Sequence, residues 1–189
     1  MRLLKTNVSD APREFRAPQT MTPDELGDTL ARLVWESFSD FVADGDPQMS
    51  LQTLLAQAQE VPEQRAAEEA LIFLMWAHTR GTQLAFIGRA NDELVRQGLD
   101  VMHRAVFDDM AAHGTPLSQL PIFEQRVGAR YAEYAAAADV SDARLGRVVV
   151  RHLMGGEGTP DTAVHAVAER AIAVANPLRD FLEEVELVA

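Results

Sequence analysis

Apolar residues at helical spacing, cap signals at regular intervals and the lack of any period-2 run predict an all-α protein. The architecture expected is a single-domain antiparallel bundle of about seven helices, residues 21–189, behind an extended N-terminal arm, residues 1–20. A length of 189 residues, 47% of them hydrophobic and 24% charged, suits one self-sufficient globular core.

The helices follow in order. Thr22-Pro23-Asp24-Glu25 combines an N-cap, a proline at the first helical position and a capping-box glutamate. The helix it starts runs to about Ala43, with Leu26, Leu30, Val34, Phe38 and Phe41 on one face. Asp44-Gly45-Asp46-Pro47 ends it and opens a short second helix to about Gln59. Pro62 opens a long third helix to Ile87, which Gly88 stops, and Asn91 caps a fourth ending at His113-Gly114. Leu71 to Ala77 is apolar all round, so the hairpin of residues 62–113 is expected at the centre of the bundle.

A fifth helix spans about Pro121 to Ala138, and Ser141 caps a sixth that runs to Met154. Gly155-Gly156-Glu157-Gly158 reads as a flexible connector with the freedom of a lid, because it follows a helix and has no lysine to meet a phosphate. A seventh helix starts at Pro160, and Asn176-Pro177 kinks or divides it. The arm, with Pro12 and Pro18, lacks periodicity and is expected to be mobile or to lie along the surface.

The charge balance narrows the partners. Seventeen basic against 29 acidic side chains give −12, while the arm alone is basic (Arg2, Lys5, Arg13, Arg16 against Asp10 and Glu14). An acidic body repels phosphate backbones and anionic lipid, so no nucleic-acid or membrane partner is expected. The single lysine, Lys5, leaves the body without a Schiff-base or P-loop amine, and without cysteine there is no thiolate chemistry. Met1 to Val8 lacks a signal-peptide core and the longest apolar run is too short to cross a bilayer, so a soluble cytoplasmic protein is expected. Arginine in place of lysine, with abundant alanine, points to a GC-rich bacterial genome.

A few positions could carry chemistry. An antiparallel hairpin turning at residues 89–91 puts His78 and His103 at one level, both on apolar stripes, with Asp100 three residues before His103. His78, Asp100 and His103 are therefore the candidate metal ligands, with Gly81 opposite Asp100 allowing close approach. Against this stands the lack of any Glu-x-x-His motif, and hydrogen-bonded neutral core histidines are the plainer account. Arg130, Tyr131, Tyr134 and His152 share inward-facing stripes and form a candidate ligand-binding set for a carboxylate or phosphate. The plainer alternative pairs Arg130 with Glu68 or Glu69. Asp161, His165 and Glu169 read as a solvated face, and His113 as a helix C-terminal residue facing the dipole.

No Gly-x-Ser-x-Gly, His-Glu-x-x-His, Walker or Rossmann pattern is present. A second apolar stripe on the first helix, with Ala31 beside the candidate interface residues Trp35, Phe38 and Val42, is wider than one neighbour requires. The expectation is thus a non-catalytic protein-interaction module or homo-oligomer, binding itself as a dimer or another protein. One alternative is a bundle that binds a small ligand or a transition metal through inward histidines, as an enzyme or without turnover. The other is an acidic inhibitor of a basic partner. No cofactor is expected.

Overall fold

The computed structural model describes residues 19–43, 62–156 and 160–189. Among these residues six helices and one small sheet are found: β1 (Gln19–Met21), α1 (Pro23–Val42), α2 (Glu63–Phe86), α3 (Asp92–Ala112), α4 (Leu120–Ala138), α5 (Asp142–Met154), α6 (Asp161–Glu183) and β2 (Val185–Leu187). The all-α bundle is as expected. The helix expected between Pro47 and Gln59, residues 1–18 of the arm and Glu157-Gly158 of the connector lie outside the described residues.

Caps legible in the sequence are made in three dimensions. Thr22 Oγ1 accepts from the Glu25 N–H at 3.3 Å while Glu25 Oε2 accepts from the Thr22 N–H at 2.8 Å, satisfying two otherwise orphaned donors. Asn91 and Ser141 cap α3 and α5 with the side-chain acceptor alone, taking the Glu93 and Arg144 N–H groups. Gly88 and Gly155 take φ of +69° and +68° just past α2 and α5, the left-handed conformation that ends a helix at least cost in a glycine. Pro177 lies inside a continuous α6 and does not divide it.

α2 is the central helix: every residue from Glu69 to Thr79 is buried. The α2–α3 hairpin forms, but its two arms are not each other's main partners. α3 packs chiefly along α1, and α2 chiefly along α6. Glycines permit close crossings. A Cβ at Gly27 of α1 would stand 2.7 Å from the Gly98 carbonyl of α3, and one at Gly146 of α5 would strike the Val164 carbonyl of α6. Gly81, expected to face Asp100 on α3, instead faces Ala175 and Leu178 of α6.

β1 and β2 pair in parallel, Gln19 with Val185 and Met21 with Leu187, and tie the start of α1 to the end of α6. Three-residue strands are too short to show alternation, which is why no period-2 pattern marks them. Arg89, in the α2–α3 turn, donates from Nη1 to the Leu182 carbonyl at 3.2 Å and from Nη2 to that of Glu183 at 2.9 Å. It thereby serves the C-terminal carbonyls of α6, whose own last turn has no basic residue.

Candidate functional site

α1 and α6 both pack on α2 but scarcely touch each other, and a cleft of about 410 Å³ opens between them. Its walls are one stripe of α1 (Thr29, Arg32, Leu33, Ser37, Asp40) and one stripe of α6 (Arg170, Ala173, Val174, Pro177, Leu178, Phe181). From α2 only His78 reaches it. That volume falls in the range of small-molecule sites, and a mostly apolar wall with a few placed polar groups is their usual lining.

His78 is 3% exposed. Its Nδ1 lies 2.9 Å from the Leu74 carbonyl, which can only accept, so the Nδ1 carries the proton and Nε2 holds a lone pair. Burial holds the ring below the usual histidine range, outweighing that hydrogen bond, and keeps it neutral. Among the described residues nothing donates to Nε2. Arg170 is half-buried, stacks over the Phe41 ring at 5.5 Å and donates from Nη2 to the Ser37 carbonyl at 3.0 Å. Its Nε is buried without a partner, and no carboxylate among the described residues lies within ion-pair distance. Pro177, having no N–H, leaves the Ala173 carbonyl on the same wall without its helical donor.

No protein-family model, curated protein or solved structure matches the chain.

The expected meeting of His78 and His103 does not occur. His103 turns toward α4, where its Nε2 accepts from the Tyr131 hydroxyl at 2.9 Å and its Nδ1 donates to the Leu99 carbonyl. The α2 residue in that network is Thr79, whose hydroxyl lies 3.3 Å from Tyr131 Oη. Because Tyr131 donates its proton to the imidazole, Thr79 donates to Tyr131, and the three form a one-way chain of hydrogen bonds. Burial lowers the His103 pKa and raises that of Tyr131, so both stay neutral. Asp100 is exposed and paired with Arg96 at 2.6 Å, away from the imidazole's hydrogen bonds. Among the described residues no three metal-ligating side chains converge.

The set Arg130, Tyr131, Tyr134 and His152 divides. Arg130 holds Glu69, which is 1% exposed, in a two-point ion pair at 2.8 and 3.1 Å, as the pairing alternative expected. Glu133 joins it, accepting from Arg130 at 3.3 Å, from Arg151 at 3.0 Å and from His152 Nε2 at 2.8 Å. Burial keeps the His152 pKa below its usual value despite Glu133, so this contact is a hydrogen bond to a carboxylate at neutral pH. Burial raises Glu133, but His152, Arg130 and Arg151 together bring it below the ordinary range. The Tyr134 ring packs edge-on against Phe73 and Trp76, while Tyr131 belongs to the His103 network. These charges are spent on one another across α2, α4 and α5.

Trp35 is half-buried and donates from Nε1 to Asp109 Oδ2 at 2.9 Å, joining α1 to α3, with Phe38 edge-on at 5.7 Å. Phe38 and Val42 are likewise half-buried against the chain's own core. His165 pairs with Glu169 on an exposed face, and His113 caps α3 through the Asp109 carbonyl. Among the described residues no helix is long and apolar enough to cross a membrane.

The cleft residues other than His78 escaped the sequence reading. A signal was present in α6: Arg170 lies three residues after Val167 and four before Val174, a charge set on an apolar stripe.

Proposed function

We propose that this protein is a non-catalytic binder of a small organic molecule, held in the α1–α6 cleft. The observation that carries the reading is His78: a nearly fully buried neutral imidazole with an acceptor lone pair and no donor among the described residues, at the only point where α2 reaches the cleft. Buried acceptors are normally satisfied, so one facing a cavity of ligand size is a specificity determinant in waiting. The self-association reading loses support from Trp35, whose polar edge and much of whose ring are engaged within the chain.

A fragment screen by two-dimensional amide NMR tests this. Ligands should shift Thr29, Leu33, Ser37, Val174 and Leu178 together, and Ala173→Phe, a substitution at an exposed wall position, should abolish those shifts while the fold persists. A broad screen with no compound perturbing that set, or equal binding to Ala173→Phe, sinks the proposal.

A further inference from the structure

The cleft's polar groups also define what it would hold, an inference that rests on the binding reading above. They differ in kind. His78 Nε2 is an acceptor, so a ligand that pairs it brings a hydrogen-bond donor. Arg170 is a cation that has found a carbonyl and an aromatic face but no carboxylate among the described residues. A half-buried guanidinium with no counter-charge favours an anion, and its planar fork suits a carboxylate in particular.

The other charges are accounted for. Arg32, on the α1 wall, is already engaged by Glu36 at 2.7 Å and lies largely in solvent. Asp40, on the same wall, is exposed and makes no ion pair among the described residues, so among the described lining residues it is the one charge that would oppose an anion. An exposed carboxylate is screened by water and salt, whereas the half-buried guanidinium is screened less. Between the polar groups the wall is Leu33, Val174, Leu178 and Phe181, which requires an apolar body.

We infer that the cleft takes a small hydroxylated carboxylic acid with an apolar body, its hydroxyl donating to His78 Nε2 and its carboxylate seated on the Arg170 guanidinium. His78 reads the hydroxyl, and Arg170 reads the charge.

The test is a matched probe series measured by calorimetry and amide NMR: 3-(4-hydroxyphenyl)propanoate, 3-phenylpropanoate without the hydroxyl, and tyramine with an ammonium in place of the carboxylate. The hydroxy acid should bind with shifts on α1 and α6. Loss of the hydroxyl should weaken binding about tenfold, since the buried acceptor is then left unpaired. Replacing the carboxylate should weaken it by at least about as much. Arg170→Gln should erase the preference for the acid over the amine, and His78→Leu the preference for the hydroxyl. His78→Phe serves if the leucine variant does not fold. Binding in the cleft without discrimination among the three probes overturns the ligand class and leaves the binding site standing. Tighter binding of tyramine overturns it in favour of recognition by Asp40. No binding of any probe in the cleft overturns it too, and the broad screen then decides whether the cleft binds anything.

Discussion

The Arg130 guanidinium spans both oxygens of Glu69, at 2.8 and 3.1 Å, and joins α4 to the first residue of the buried stretch of α2. Glu69 is 1% exposed and Arg130 16%, so the carboxylate above all has little water to fall back on. Removing one partner should therefore cost far more than the pair contributes. Arg130→Met is expected to lower the unfolding free energy by about 3–5 kcal/mol in urea titration. Adding Glu69→Leu to it should restore much of that loss. A single variant within about 1 kcal/mol of wild type would show that the carboxylate stays hydrated.

Acid should loosen the fold before carboxylates protonate. Burial holds the folded-state pKa of His78 and of His103 below 6.5, the unfolded value. The unfolded chain therefore binds more protons than the folded one once pH falls below that value, and stability declines with it. Each such ring adds a slope of up to about 1.4 kcal/mol per pH unit. Glu133, lowered in the fold, contributes stability above its unfolded pKa near 4.5 that is lost further down in pH. Chemical denaturation at steps from pH 7.5 to 5 should show the first slope, and His103→Gln should flatten part of it. Nitrogen-15 spectra of the histidine rings should show protonated Nδ1 and bare Nε2 for both residues at pH 7. Titration of either ring near 6.5 would refute this.

Glycine positions should divide sharply on replacement by alanine. Gly146→Ala drives a methyl into the Val164 carbonyl, and Gly27→Ala into α3, so each should lower the melting temperature by several degrees. Gly128, on the exposed side of α4 with nothing within 4 Å of an added Cβ, should behave oppositely. Gly128→Ala is expected to stabilise by about 0.5–1 kcal/mol through helix propensity. Three changes of the same sign in a thermal scan would contradict the packing described.

Arg89→Met should act at a distance in sequence. It withdraws the donors that serve the carbonyls of Leu182 and Glu183 and approach that of Val185 at 3.5 Å. Amide hydrogen exchange should rise in β1, β2 and the last turn of α6, with α3 and α4 unchanged. Uniform faster exchange would mean a global loss of stability instead.

Much of the architecture was legible because helix starts announce themselves chemically: Thr22, Asn91 and Ser141 cap where their side chains allow. The Arg130–Glu69 pair was within reach for a similar reason, since a charge on an apolar stripe needs an opposite one. The histidine pair was misplaced by one residue. Level along a hairpin is set by counting, but direction is set by helix phase, which turns about 100° per residue. That rotation gives Thr79 to the His103 side and His78 to α6. The cleft was illegible because its walls, α1 and α6, are far apart in sequence and each packs mainly on other helices, so nothing local encodes their spacing.

The parallel strand pair has a kinetic consequence. Gln19 and Val185 come from opposite ends of the described chain, and closing so long a loop early has an entropic cost that three ladder residues cannot repay. The pair is therefore expected to close late, after α1 has found α3 and α2 has found α6. Until it does, two unpaired strand edges stay open to other chains, along with Met21 and Val185, which are buried in the finished protein. On that order, closing this short ladder is the step that would remove the open edges a chaperone or a protease could recognise.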